Sequence, residues 1–172
     1  MHSNGFRDQV ITLLPRLRRF AFSLTGNMDE ADDLVQAACE RALSREHQWR
    51  RGTRLDSWLF RIIHNLWIDN ARSSRQSKIH IPIEEEGEGQ KEVSEEGGIE
   101  AKIMLQQVLQ AMEQLPETDR VILSLICVDG MSYREASATL DIPLGTVMSR
   151  LARARQRLYA LLNEQQSPGY KH

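Results

Sequence analysis

The periodicity between Leu144 and Leu158 constrains this chain more than any other feature. Leu144, Val147, Leu151, Ala154 and Leu158 recur at helical spacing and make one apolar stripe. At about 100° per residue, Thr146, Arg150, Arg153 and Arg157 fall together on a different face, and no acid interrupts the segment. Upstream, Ser132 stands three residues before Glu135 as a capping box for a short helix, with Tyr133, Ala136 and Leu140 on its apolar side. Asp141-Ile142-Pro143 breaks that helix. Pro143 then opens the next one, where its missing N–H is not needed. Short helix, tight turn and basic second helix predict a helix-turn-helix, whose second member enters the DNA major groove. The same spacing also suits a plain helical hairpin with solvated arginines, or a helix for an acidic protein or membrane.

Charge distribution favours the nucleic-acid reading. The formal net charge is only −2, but Glu84 to Glu100 holds eight glutamates against Lys91, a net of −7, which leaves +5 elsewhere. A hydrophobic fraction of 41% supports globular cores, and weak β-branched alternation points to an all-α protein. Cys39 and Cys127 lie far apart in helical patterns, which predicts buried free thiols. The five histidines show no ligand spacing. No catalytic set, phosphate loop or metal cluster is legible, so no catalysis, cofactor or small-molecule substrate is expected. With no signal peptide and no apolar run near ~20 residues, the chain is expected to be soluble and cytoplasmic, without membrane insertion.

Taken in order, Phe6, Val10, Leu13, Leu14, Leu17, Phe20, Ala21 and Leu24 trace a first helix, with Pro15 a candidate kink. Thr25-Gly26-Asn27 stops it, and Asn27 caps a second helix opened by Asp29, Glu30, Asp32 and Asp33. Those acids form a solvated face or a docking surface for a basic partner; no glycine or loop geometry favours calcium. The loop from His47 to Asp56 carries Trp49, Arg50 and Arg51, a set suited to single-stranded nucleic acid, or to an anchored surface loop. A third helix, from about Leu55 to Ser77, faces Leu55, Leu59, Ile62, Ile63 and Leu66 inward and shows Arg61, His64 and Asn65 on its polar side. The chain then divides: residues 1–78 as one helical domain, 79–100 as an acidic flexible linker, 101–163 as a four-helix domain ending in the helix-turn-helix, and 164–172 as a polar tail.

Three stretches carry a family resemblance: Asp29 to Gln36, Trp58 to Asp69, and Leu115 to Glu117 followed by Asp129 to Tyr133 and Gly145 to Arg155. In this order, around an acidic linker, the chain resembles a bacterial sigma factor of the extracytoplasmic-function (ECF) group. The resemblance implies a region 2-like domain that docks on core RNA polymerase and reads the −10 promoter element as melted strand. It also implies a region 4-like domain that reads the −35 element as duplex. On that resemblance Asp33, Leu34 and Gln36 match the polymerase-docking motif. Asn65 matches a flipped-base pocket, with Phe60 nearby. Ser149, Arg150, Arg153 and Arg155 fall in the −35 helix, joined by Thr146 and Arg157 from the helical wheel. Trp49, Arg50, Arg51 and Arg61 complete the −10 set from the residue chemistry alone. An anti-sigma protein is the implied controlling partner, and the acidic linker is expected to serve initiation more than promoter-complex formation.

Departures stand out: Ala37 replaces a glutamate frequent beside Gln36, and Met148 and Ile126 stand where basic residues are common. Met148 is expected to pack rather than read. Two other functions fit parts of the pattern: a sigma mimic that sequesters an anti-sigma protein, and a helix-turn-helix regulator. The first does not need the arginines, and the second does not explain the N-terminal domain.

Overall fold

A computed structural model of the chain describes residues 3–76 and 98–166. Among the described residues there are seven α-helices and no strand. They are α1 (Ser3–Thr25), α2 (Met28–Ser44), α3 (Leu55–Gln76), α4 (Gly98–Gln114), α5 (Glu117–Leu123), α6 (Tyr133–Leu140) and α7 (Leu144–Gln166). A 3₁₀ turn at Glu46–Gln48 leads towards α3, and α5 widens into a π turn at Ser124–Val128. The expected linker lies outside the described residues as far as 97, and from Gly98 the chain is helical. The expected tail starts too early, because α7 continues to Gln166.

Helix α1 passes through Pro15 as one element of 23 residues. Pro15 and Ile11 both lie on the exposed side, so the carbonyl that loses its helical donor is on the wet face. Gly26 ends α1 at φ 70°, donating its N–H to Phe22 O at 2.8 Å. Asn27 then caps α2: its Oδ1 accepts from the N–H groups of Asp29 at 2.8 Å and Glu30 at 3.1 Å. Leu17, Phe20 and Leu24 of α1 meet Ala31, Leu34 and Ala38 of α2 and Leu59, Phe60 and Ile63 of α3. Phe20 and Phe60 contact edge to face with ring centroids 4.8 Å apart. Each such side chain contributes about 1.5–3 kcal/mol on burial.

In the C-terminal half, Met112, Leu115, Val121, Ile122 and Leu125 close over Ala136, Val147, Leu151 and Ala154. Ser132 Oγ accepts from Glu135 N at 3.1 Å, the expected cap of α6. The Glu135 carboxylate in turn accepts from the Ser132 N–H and also pairs with Arg54 at 2.8 Å. Asp141 turns left-handed at φ 54°, and Pro143 O takes the N–H groups of Thr146 and Val147.

The sequence predicts two units on a tether, and the structure adds that they touch. Their buried residues merge into one apolar cluster. Arg120 of α5 donates to Leu24 O at 2.9 Å and Glu113 O at 2.8 Å, and its guanidinium lies 5.4 Å from the Trp67 ring centroid. One cation thus meets the carboxyl-terminal carbonyls of two helices, where the helix dipole is negative.

Candidate nucleic-acid interface

The helix-turn-helix presents α7 along its whole length. Val147, Leu151 and Ala154 are buried beneath it, which turns Ser149 and Arg153 outward and leaves Thr146 and Arg150 at the half-buried edge. Among the described residues, Ser149 Oγ and the Arg153 guanidinium bond only to carbonyls of their own helix. Met148 is half exposed, at 51%, so it stands on the outer surface rather than packing. Two members of the expected set behave differently. Arg157 donates to Asp119 Oδ2 at 2.6 Å, and that carboxylate is almost wholly buried, so the arginine is opposed after all by an acid from α5. Arg155 lies roughly 200° around the helix from Arg153. Its guanidinium is held beside the Cys127 thiol, which raises its pKa. Cys127 is exposed rather than buried, and Cys39 is half-buried with its pKa pushed up by burial.

The N-terminal bundle carries the second cationic surface. Trp49 packs against Phe6 at a centroid distance of 5.5 Å, and its buried indole N–H finds no hydrogen-bond partner among the described residues. Arg50 and Arg51 are exposed beside it. A wide cleft of about 1030 Å³ opens here, lined by Phe6, Leu43, His47, Trp49, Arg51 and Thr53. Asn65 is exposed on α3. Phe60 corrects the expectation: it has no exposed surface, and lies under Arg16 with 5.5 Å from guanidinium carbon to ring centroid. It is core, not a base contact. Leu34 is also core, whereas Asp33 and Gln36 of the same motif are exposed on α2. Gln36 Nε2 sits 3.3 Å from Glu40 Oε1.

Arg61 is exposed, yet its guanidinium is engaged by the C-terminal bundle. Its Nε donates to Thr139 O at 2.9 Å and its Nη2 to Ala138 O at 2.7 Å, at the end of α6. Two arginines absent from the expected sets join this contact. Arg16 makes a two-point bond to Asp129 at 3.1 and 2.9 Å and also reaches Asp56 at 3.2 Å. Arg54 bridges Asp56 at 2.7 Å and Glu135 at 2.8 Å. Burial alone would raise the Asp56 pKa, but Arg54, the Ser57 N–H and Arg16 overcome it and hold the carboxyl below its ordinary value. Arg54 likewise lowers Glu135. In the sequence, Arg54 was legible only as one more cation of the loop.

Family comparison decides what carries these surfaces. The family model for sigma-70 region 4 matches residues 105–158, and that for the Sigma2 domain of PhyR matches residues 10–64. The ECF RNA polymerase sigma factor EcfG of Rhodopseudomonas palustris is 36% identical over 161 residues, covering 93% of this chain and 86% of that protein. The chain belongs to the ECF RNA polymerase sigma factors. The ECF sigma-E factor of Escherichia coli K12 is 32% identical over 137 residues, 75% of this chain and 72% of its own length. Among solved structures, the sigma factor RpoE of Bartonella quintana, in complex with the anti-sigma factor NepR, superposes with a TM-score of 0.73 at 31% identity, covering 92% of this chain and 97% of that one. Membership makes the protein a non-enzymatic factor of transcription initiation. Among the described residues no helix is long and apolar enough to cross a membrane, and no group of three or more His, Cys, Asp or Glu is placed to hold a metal ion.

Proposed function

We propose that this ECF sigma factor binds core RNA polymerase and directs it to promoters through two readers. The C-terminal helix-turn-helix reads the −35 element as duplex, with Thr146, Ser149, Arg150 and Arg153 towards the groove and the phosphates. The N-terminal bundle reads the −10 element as melted strand, with Trp49 and Arg51 lining the cleft, Arg50 next to them in the loop, and Arg61 and Asn65 on α3. Asp33 and Gln36 on α2 dock on polymerase. The observation that carries the reading is the outward face of α7, with Ser149 and Arg153 exposed on a helix that follows a capped short helix and a left-handed turn. Such a helix fits a major groove, and its cations carry a salt-dependent affinity.

The partner that restrains it is an anti-sigma factor. Support comes from relatives solved in that state: RpoE with NepR, and CnrH with the cytosolic domain of CnrY, the latter at 25% identity and a TM-score of 0.69. The site of action is the cytoplasm, where polymerase works.

A second reading, a sigma mimic that captures an anti-sigma factor, is favoured by the match of residues 10–64 to the PhyR domain. Holoenzyme binding to a promoter fragment separates the two. Under the leading reading, Arg153→Ala weakens promoter binding and reduces its salt slope by about one, with polymerase affinity unchanged. Asn65→Ala flattens base preference in the −10 region. A protein that captures an anti-sigma factor but forms no holoenzyme with core is the mimic.

A further inference from the structure

We infer that Met148 reads a thymine methyl group in the −35 duplex, so that α7 selects an A·T pair by an apolar contact while its arginines hold the phosphates. The inference rests on the proposed reading of α7 as the duplex reader and names the chemistry of that reading. Gly145, Met148, Ser149 and Ala152 are all exposed, and at 3.6 residues per turn they share about 100° of the helix surface. Val147, Leu151 and Ala154 bury the side of the helix turned away from them. Arg153 borders this face on one flank and Arg155 on the other, so cations straddle a strip without charge. A major groove is the complement of that arrangement, a floor of base edges between two walls of phosphates.

Of these four residues Met148 has the longest side chain, and half of its surface lies in water. An apolar side chain gains by leaving water only against another apolar group. The base edges in the major groove offer one, the C5-methyl of thymine, among hydrogen-bond donors and acceptors. A flexible thioether can adapt its reach to that target. Around it the helix is cut low: Ala152 is small, and a Cβ added to Gly145 would meet nothing within 4 Å. Packing within the protein therefore does not require a glycine there, and the missing side chain lets the groove come close. Ser149 Oγ donates to the Thr146 carbonyl at 3.2 Å, which leaves it an acceptor for an adenine or cytosine amino group. An acceptor beside an apolar tip suits the adenine amino group and the thymine methyl of A·T pairs.

Deoxyuridine tests this, because it differs from thymidine only by that methyl. Holoenzyme assembled from core RNA polymerase and the full chain selects binders from a randomised duplex pool, and the −35 element is the stretch at which Arg153→Ala weakens binding. Each thymine there is replaced singly by deoxyuridine, and affinities are measured at one fixed salt concentration. With the wild type, one such replacement should weaken binding about fourfold, the worth of a methyl group withdrawn from water. Met148→Ala should bind the parent duplex about as weakly and should not respond to that replacement. Met148→Leu, which keeps an apolar tip, should retain the response. Both variants change an exposed position and should melt with the wild type. The inference is overturned if no replacement matters to the wild type, if the penalty persists in Met148→Ala, or if Met148→Leu behaves as Met148→Ala. In each of these cases the duplex reading stands, since an element was selected. If no duplex is enriched from the pool, the promoter reading itself fails and the inference falls with it.

Discussion

Arg157→Ala separates two roles that a helical wheel merges. On the wheel, Arg157 is the equal of Arg153, but it is bonded to Asp119, whose side chain is only 4% exposed. Removing one partner of a buried pair costs ~3–5 kcal/mol, because the remaining charge is left without compensation. Half of the Arg157 side chain is in water, which screens the pair and admits solvent to the vacated site. The expected loss is therefore at the lower end, about 2–3 kcal/mol. With a urea dependence of ~2 kcal/mol/M, the midpoint of unfolding followed by circular dichroism falls by about 1–1.5 M. Arg153→Ala, at an exposed residue bonded to Ser149 O of its own helix, should stay within about 0.5 kcal/mol of the parent. Adding Asp119→Asn to Arg157→Ala should recover part of the loss, since a neutral amide is cheaper to bury than a carboxylate. Equal midpoints for the Arg153 and Arg157 variants would refute the assignment of Arg157 to the fold.

Gly26→Ala should cost about 1–2 kcal/mol, because the residue sits at φ 70° where a Cβ is strained. The new methyl would also stand 2.7 Å from Glu113 Oε1, a flexible tip, so adding Glu113→Ala relieves only the minor part in urea melts. His64 is kept below its ordinary pKa of 6.5 by burial, with Glu117 opposing the shift. The unfolded chain therefore takes up the proton first, and stability should decline as pH falls below about 6.5; His64→Gln should flatten that slope in melts at stepped pH. Asp56 and Glu135 have pKa values lowered from 3.8 and 4.5, so their contribution is present above those values and is lost as pH falls below them. Interdomain hydrogen-exchange protection should fade over that acid range, and Glu135→Gln should remove its share.

The helices and the turn were readable because their signals are local. Asn27 and Ser132 cap where their side chains predict, and the stripe of Val147, Leu151 and Ala154 is buried as its spacing requires. Phe60 was misplaced by following resemblance over spacing, for it shares a helical face with Asp56, Ile63 and Trp67, all buried. Arg157 was misread because its acid lies 38 residues away, beyond the reach of any helical window. Nothing in the neighbours of Arg120 in the sequence announces that it joins the ends of α1 and α4. Cys127 is exposed, on a chain that has widened into a π turn at Ser124–Val128. Contacts between the two bundles were the least legible part: charged residues meet there, and the sequence marks them only as surface.

Run-off transcription over a genomic fragment library, with core polymerase and start sites mapped, is the most direct test of the two-reader account. The account predicts new starts confined to fragments that share two separated elements, lost with Arg153→Ala at one element and altered with Asn65→Ala at the other. Core enzyme that starts no additional transcripts from any fragment in the presence of the protein would contradict it.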